Sequence, residues 1–227
     1  MRILVVNPNS TGSMTAKIAA AARRVARPDT QIVATNPADS PPSIQGFLDA
    51  ALCVPGLLDE VRRARDYDAV VVACFDDTGV DALRCVVDVP VIGIGEAAYH
   101  AAAMVSTKFS VVTTLSRSVA GLEANLLRYG LDRRCGRVRA SDVPVLKLEE
   151  GDETTIDRIR REIEAAITED GAEAIVLGCA GMTDLMSRLS EEFQVPVIDG
   201  VTCGVTMAEA LVASGLKTSK KRTYSLA

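Results

Sequence analysis

Two short stretches of the chain share one order of residue types, and each ends on a cysteine. An acidic residue, an Ala and three branched aliphatic residues precede both Cys74 and Cys179. A threonine follows each cysteine four residues later, as Thr78 and Thr183. A short apolar run of this kind is typical of a buried strand, so each cysteine is expected at the tip of one. We predict that the two thiols face each other across one pocket.

Two opposed thiols are suited to the inversion of a carbon acid. A thiolate on one face removes a proton, and a thiol on the opposite face returns one. The planar carbanion between them carries charge on a carbonyl oxygen, which amides at helix N-termini can stabilise. This chemistry needs no metal, flavin or pyridoxal. The chain has one His, no C-x-x-C spacing and no Walker sequence, so no cofactor and no metal site are expected.

The two cysteines are expected to be acidic thiols. Each lies where a predicted strand gives way to a turn before a helix, and the helix dipole favours a thiolate there, lowering the pKa from about 8.5. Asp76 and Asp77 oppose this effect at Cys74 unless they are engaged in a helix cap. Which cysteine rests as the thiolate is left open by the sequence.

The remaining candidate nucleophiles are expected to be structural. Cys53 and Cys85 lie in apolar helical patterns, and Cys135 lies in a basic loop. Cys203 stands near the start of the last predicted helix, where it could edge the pocket. His100, the single histidine, lies in an Ala-rich helical stretch and is not expected to form a catalytic triad.

Composition indicates an α/β protein and excludes several classes of partner. Of 227 residues, 48% are apolar but only 4% are aromatic, so the core is built from Val, Ile, Leu and Ala. The net charge of −5 argues against a nucleic-acid partner. The apolar N-terminal run is too short for a signal peptide or a membrane span, so no membrane association and a cytoplasmic location are expected.

Several landmarks recur at a nearly constant offset along the chain. Cys74 and Cys179 are 105 residues apart, and two strand landmarks recur at an offset of 106. We therefore predict two pseudo-symmetric lobes, each with a parallel sheet flanked by helices. Lobe 1 comprises 1–97 plus 206–227, and lobe 2 comprises 98–205. Because parallel sheets bind ligands at the carboxyl ends of their strands, the active site is expected in the cleft between the lobes.

Apolar periodicity predicts the elements that carry these residues. The predicted strands cover 3–6, 31–35, 69–73, 89–94, 143–148, 174–177 and 195–198, and the stretch 109–116 repeats the strand and polar turn of 3–10. The predicted helices follow the turns between them, and Thr78 and Thr183 are expected to cap two of these helices. A helical pattern that ends at Arg65 is expected to break at Pro55-Gly56. A long polar loop over 36–46 is expected to lie over a ligand site.

Taken together, the motifs resemble the aspartate/glutamate/hydantoin racemase superfamily over essentially the whole chain. The matching stretches are 3–10, 42–46, 74–79, 109–114 and 177–182. The resemblance implies two pseudo-symmetric α/β lobes, cofactor-independent two-base chemistry and a homo-oligomer. Cys74 and Cys179 match the two catalytic cysteines of the family.

The residues after each cysteine indicate a branch of this family. Aspartate and glutamate racemases usually continue with Asn-Thr or Thr-His, whereas here Phe-Asp-Asp follows Cys74 and Ala-Gly-Met follows Cys179. These turns suit an uncharged ring with N–H groups, as in the hydantoin racemase branch. Related arylmalonate decarboxylases typically keep one catalytic cysteine, so the presence of both favours racemisation. The family often has Glu where this chain has Gln45.

The resemblance implies racemisation of 5-monosubstituted hydantoins, a small-molecule substrate. Allantoin, itself a 5-substituted hydantoin, is the alternative substrate, and a non-catalytic two-lobed binding protein is the alternative of a different class. The C5 substituent, the oligomer number and the metabolic pathway are left open. The residues expected to contact substrate are Asn9, Ile44, Phe75, Thr78, Gly79, Thr113, Gly181, Met182 and Thr183. Of these, Ile44 and Phe75 are expected to face the C5 substituent.

Overall fold

The structure of the protein is a computed structural model that describes residues 1–149 and 151–226. Within them, eight strands alternate with eight helices. The strands are β1 (Arg2–Val6), β2 (Gln31–Thr35), β3 (Ala69–Val72), β4 (Val91–Gly93), β5 (Phe109–Thr113), β6 (Cys135–Ala140), β7 (Ala174–Gly178) and β8 (Val197–Asp199). The helices are α1 (Gly12–Val25), α2 (Phe47–Arg63), α3 (Val80–Val86), α4 (Ile94–Val105), α5 (Val119–Arg128), α6 (Glu153–Thr168), α7 (Met186–Phe193) and α8 (Gly200–Ala213).

The strands form two parallel sheets with the same topology. The first sheet has the order β2-β1-β3-β4 and the second the order β6-β5-β7-β8. All the pairs are parallel. The central strands β3 and β7 are buried along their whole length, as their branched aliphatic runs predict. The predicted α/β class, with two parallel sheets flanked by helices, is confirmed.

Two helices connect the sheets. Helix α4 packs on α8 and on β7, and α8 packs on α1, β3 and β4. Gly204 allows α8 to lie close to the first sheet, because a Cβ there would be 3.1 Å from the Val71 side chain. The exact lobe boundaries at 97/98 and 205/206 stay a prediction.

The structure corrects two strand predictions in the second half of the chain. The expected basic loop around Cys135 is the strand β6, and the expected strand over 143–148 is a 3₁₀ turn, Val145–Glu149. Strand β6 contains Arg139, which is 8% exposed and forms ion pairs at 2.7 Å with Glu169 and Asp170. These distant carboxylates offset the charge that made the segment resemble a loop.

Helix boundaries in the first half also differ from expectation. Helix α2 continues through Pro55 without a break. The loop over 36–46 packs against this helix at Gly56, the residue after Pro55, where a Cβ would lie 2.8 Å from Pro37. Thr78 and Thr183 do not cap helices, because α3 begins after Gly79 and α7 begins after Leu185.

The Asp77 carboxylate joins three elements next to the turn that carries Cys74. Its two oxygens accept hydrogen bonds from the backbone N–H groups of Gly95 (2.9 Å) and Glu96 (2.7 Å) at the start of α4. The hydroxyl of Tyr129, at the end of α5, donates to it at 2.7 Å. Asp77 itself has a φ of 53°, which an aspartate tolerates better than most residues. The three bonds therefore hold the cysteine turn against elements from both halves.

We predict that Asp77→Ala lowers the free energy of unfolding by about 3–5 kcal/mol, because it leaves three buried donors without an acceptor. Asp77→Asn, which keeps one carbonyl oxygen, should cost less. Urea denaturation followed by circular dichroism measures both. Asp132→Asn, at an exposed position, is the control and should change stability by less than about 0.5 kcal/mol. Equal small losses for Asp77→Ala and the control would contradict this role.

Candidate active site

A small cavity lies where the central strands of the two sheets end. Its volume is about 30 Å³. The first half of the chain lines it with Asn9, Met14, Ile44, Ala73, Cys74, Phe75 and Asp76. The second half lines it with Thr113, Thr114, Ser118, Val145, Gly178, Cys179 and Ala180. The two repeated cysteines therefore reach one cavity from different sheets, as the duplication predicts.

Cys74 is held in the turn that follows β3. Its Sγ lies 3.5 Å from Oγ1 of Thr78. Burial raises the pKa of the Cys74 thiol well above its ordinary value, and the charge of Asp76 raises it further. The Thr78 hydroxyl and the Asp76 amide oppose these effects by hydrogen bonding to the sulfur. Cys74 therefore rests as a neutral thiol.

Cys179 directly follows β7 and has a related environment. Its Sγ accepts a hydrogen bond from the Gly181 N–H at 3.4 Å. Burial raises the pKa of this thiol to about 11, the Gly181 amide lowers it, Asp76 raises it and Lys17 lowers it. Lys17 is placed nearby by its contacts with the Gly181 carbonyl (3.4 Å) and with Asp184 (3.3 Å).

The expectation that helix dipoles lower both thiol pKa values is wrong, because both values are raised. Helix α3 begins at Val80, six residues beyond Cys74, and only a three-residue 3₁₀ turn, Ala180–Met182, follows Cys179. Such short or distant helix ends supply little dipole field, because that field falls off within one turn. Loss of solvent around the sulfurs therefore decides their acidity.

The two neighbouring aspartates have different roles. Asp77 is committed to the start of α4, as described above. Asp76 remains at the cavity, where its backbone amide bonds to the Cys74 sulfur and its backbone carbonyl accepts a hydrogen bond from the Asn125 side chain at 2.9 Å. Its carboxylate has no hydrogen-bond partner among the described residues. Burial raises the pKa of Asp76 to about 6, so its side chain is an anion at neutral pH. This charge lies close enough to raise the pKa of both thiols.

Four of the residues predicted to contact substrate line the cavity: Asn9, Ile44, Phe75 and Thr113. The Asn9 Oδ1 atom is used by the Asn7 side chain and by the Thr11 amide, both at 2.9 Å. Its Nδ2 atom has only the weak acceptor Met14 Sδ at 3.4 Å, so it can donate to a ligand. The Thr113 hydroxyl is already engaged with the Gly178 carbonyl at 3.0 Å.

The other predicted contact residues lie elsewhere. Thr78 and Gly79 line a larger neighbouring cavity of about 320 Å³. The backbone amide of Gly181 donates a hydrogen bond to the Cys179 sulfur. Met182 is fully buried in the core of the second half, and Thr183 is buried beside Asp199, whose pKa its side chain lowers by hydrogen bonding. Neither Met182 nor Thr183 is on the cavity wall.

Some lining residues had no signal in the sequence. Val145 belongs to a segment that was expected to be a strand, and Met14 and Ser118 lie in or before helices with ordinary spacing. Ile44 and Val145 come from loops of different halves, which are joined by a hydrogen bond from the Val145 N–H to Gln45 Oε1 at 3.2 Å. A glutamate at this position, as the family often has, would offer the same acceptor.

The cavity is too small for a five-membered ring with two carbonyl groups. A volume of about 30 Å³ is enough for one or two water molecules. Substrate must therefore widen the cleft on entry.

Two negative findings apply to the described residues alone. Among residues 1–149 and 151–226, no group of three or more His, Cys, Asp or Glu side chains is placed to hold a metal ion. None of the helices in that part of the chain is both long and apolar enough to cross a membrane.

The chain is similar in sequence and in structure to known proteins. The family model described as Asp/Glu/Hydantoin racemase matches residues 3–208. A hydantoin racemase of Rhizobium meliloti is 52% identical over 227 residues, covering 99% of this chain and 94% of that protein. A hydantoin racemase of Pseudomonas sp. strain NS671 is 45% identical over 226 residues, covering 99% and 91%. The solved structure of allantoin racemase from Klebsiella pneumoniae superposes with a TM-score of 0.97 at 46% identity, covering 100% and 94%.

We predict that Cys179 is alkylated faster than Cys74 by iodoacetamide at pH 8, because the charge of Lys17 lowers the pKa of Cys179, whereas Asp76 and Asp77 both raise the pKa of Cys74. Both rates should rise continuously to pH 10, because both thiols titrate above their ordinary range. Peptide mass spectrometry after timed quenching measures each site separately. Cys85, on α3 and outside the cavity, serves as an internal comparison. Faster alkylation of Cys74 than of Cys179 would contradict the asymmetry.

Proposed function

This chain belongs to the Asp/Glu/hydantoin racemase family, and from that premise we propose that it racemises 5-monosubstituted hydantoins with Cys74 and Cys179 as the two bases. Membership of a racemase family makes the protein an isomerase and disfavours the non-catalytic binding protein. The observation that carries the proposal is that the two cysteines wall one small cavity from different sheets. A flat ring bound between them presents one face to each sulfur.

The reaction is a proton exchange at C5 of the ring. A thiolate takes the C5 proton and becomes a thiol, and the electron pair of the C–H bond moves onto the C4 carbonyl oxygen. The opposite thiol then donates its proton to the other face of C5 and becomes the thiolate. No proton is gained or lost overall, and the cysteines exchange roles for the other enantiomer.

Burial gives the thiols the basicity that this step requires. A thiolate whose conjugate acid has a raised pKa is a stronger base toward a weakly acidic C–H bond. The same shift makes the thiolate rare, since a pKa of about 11 leaves on the order of 10⁻⁴ of Cys179 ionised at pH 7. Binding of the substrate must therefore promote ionisation of one sulfur.

The larger neighbouring cavity suits the C5 substituent. It meets the catalytic cavity at Asp76 and Ser118, which line both. Its wall is mainly apolar and includes Phe47, Ala50 and Val54 of α2. A ring held between the sulfurs can direct a substituent into this space, which favours aromatic and aliphatic groups. Phe75 is only 3% exposed and packs edge-on against Tyr99, so it contributes mainly to the core.

Allantoin remains the second candidate substrate. The solved allantoin racemase with a TM-score of 0.97 favours it. Arg117 and Asn125 also line the larger cavity and could bind the ureido substituent of allantoin. The 52% identical hydantoin racemase and the apolar part of the wall favour the other hydantoins.

We also propose a cytoplasmic homo-oligomer. All six cysteines are free, as expected for a reducing compartment. Helix α2 exposes Phe47 (72%) and Leu48 (71%), and α4 exposes Met104 (77%). Exposed apolar groups of this size are commonly covered in an assembly.

We predict that Cys74→Ser and Cys179→Ser each reduce racemisation about 10³-fold or more, because a hydroxyl is too weakly acidic to replace either thiol. Enantiopure 5-benzylhydantoin is followed by polarimetry, and C5–H exchange in D₂O by NMR. Each single variant retains one base and should keep exchange for the enantiomer facing that base, without inversion. Cys203→Ser, outside the cavity, is the matched control and should remain active. Wild-type racemisation by both active-site variants would refute the two-thiol mechanism.

We predict that Ala50→Phe discriminates between substituents. The added ring fills part of the larger cavity, so kcat/KM for 5-benzylhydantoin should fall about 10-fold or more. Turnover of 5-methylhydantoin, whose substituent is small, should change less than about threefold. The same assay with allantoin ranks the two candidate substrates in the wild-type protein. Equal losses for benzyl and methyl substrates would mean that the substituent lies elsewhere.

A further inference from the structure

One of the differences between the two cysteine turns introduces a charge. The residue two places after each cysteine is Asp76 in the first half and Gly181 in the second. The backbone amides of both hydrogen-bond to the neighbouring sulfur. The side chains differ, and the second turn is tightly packed, because a Cβ at Gly181 would be 3.1 Å from the Leu148 side chain. The cavity thus contains a carboxylate on one side and none at the matching point opposite.

The Asp76 carboxylate is only partly buried, so it is open to the cleft. Within residues 1–149 and 151–226, its oxygens take part in no hydrogen bond or ion pair, whereas those of Asp77 accept three hydrogen bonds. A ligand that covers this carboxylate must supply a hydrogen bond, because removal of the charge from water without compensation costs several kcal/mol. The side chain lines both the catalytic and the larger cavity, so a ligand in the cleft can reach it.

The position of this carboxylate relates it to the reacting carbon. Its charge acts on both Cys74 and Cys179, and C5 of the substrate must lie between those sulfurs. In a hydantoin, C5 is bonded on one side to the C4 carbonyl and on the other to N1, which carries a hydrogen. An anion close to both sulfurs repels the carbonyl oxygen and attracts the N–H group.

Resting on the function proposed above, we infer that the Asp76 carboxylate accepts a hydrogen bond from the ring N1–H and that this bond promotes ionisation of a cysteine. Without a donor to the carboxylate, the charge of Asp76 opposes formation of either thiolate. A bound N–H places its positive end between the carboxylate and the sulfurs and offsets part of that charge. The thiolate therefore forms more readily with substrate in place. Asp76 remains an anion throughout and transfers no proton.

This role also sets the substrate class. An N1–H donor becomes a requirement, and N1-alkylated rings are excluded because they leave the carboxylate buried and unpaired. Free amino acids are disfavoured as well, because their carboxylate would lie beside Asp76. The site thus selects neutral cyclic amides over charged substrates.

The first test compares methylated substrates in wild-type protein and in Asp76→Ala. Enantiopure 5-benzylhydantoin and its 1-methyl and 3-methyl derivatives are followed by polarimetry. In the wild type, 1-methylation should reduce kcat/KM about 10- to 100-fold beyond its effect in Asp76→Ala, as expected for loss of a hydrogen bond to a charged acceptor. The effect of 3-methylation should be the same in both proteins. An effect of 1-methylation that does not depend on Asp76 would overturn the inference.

The second test measures the charge effect without substrate. Asp76→Asn keeps the size of the side chain but removes its charge, so alkylation of Cys74 and Cys179 at pH 8 should accelerate at least about threefold. Asp132→Asn, exposed and distant in sequence, should leave both rates unchanged. If Asp76→Ala fails to fold, the methylated substrates are compared in Asp76→Ser. Unchanged thiol reactivity in Asp76→Asn would also overturn the inference.

The two tests separate this inference from the proposed function. If wild-type protein neither racemises nor exchanges C5–H of any tested hydantoin, the proposed function fails. If it racemises the parent substrate while Asp76 affects neither methyl discrimination nor thiol reactivity, the function stands and the role of Asp76 is refuted.

Discussion

The geometry of the cleft depends on the hydrogen bonds that the Asp77 carboxylate accepts. It receives two backbone donors from the start of α4 and the hydroxyl of Tyr129 from the end of α5. The close approach requires glycine, since a Cβ at Gly95 would lie 2.3 Å from the Phe75 carbonyl oxygen. Because the donors come from both halves of the chain, the turn that carries Cys74 has a defined position relative to the second sheet.

Within that frame, loss of solvent determines the chemistry. Desolvation raises the pKa of Cys74 and Cys179, which favours the protonated form of both sulfurs. The same burial makes either sulfur a strong base once it is ionised. A cavity of about 30 Å³ also means that the ligand must displace water and widen the cleft on entry. Thiol ionisation and ligand binding are therefore physically coupled.

Two sheets of the same strand order give the site its symmetry, and a difference two residues after each cysteine gives it polarity. Both sheets have the same strand order, and each delivers a cysteine to the same cavity. Two residues later the halves differ: Asp76 supplies a charge, whereas Gly181 allows close packing against Leu148. A racemase must handle both faces of its substrate, but its ring has different groups on the two sides of C5. An asymmetric pair of turns can orient such a ring.

Residue types and spacing were sufficient for the fold class, the repeated lobes and the cysteine pair. Branched aliphatic runs form buried strands through local geometry, and a constant offset records the duplication directly. Strand β6 was missed because its Arg139 is neutralised by Glu169 and Asp170, which are remote in sequence. The helix caps expected at Thr78 and Thr183 were also wrong, because α3 and α7 begin further along the chain than these threonines.

The acidity of the thiols and the roles of the two aspartates were decided by packing alone. Desolvation depends on segments from both halves that close over the sulfurs, so the local sequence predicted the wrong sign of the pKa shift. Asp76 and Asp77 are identical neighbours in the chain. The positive φ of Asp77 lets its carboxylate reach α4, while that of Asp76 remains at the cavity. The two aspartates differ in role because different elements surround them, and this difference cannot be predicted from two adjacent residues of the same type.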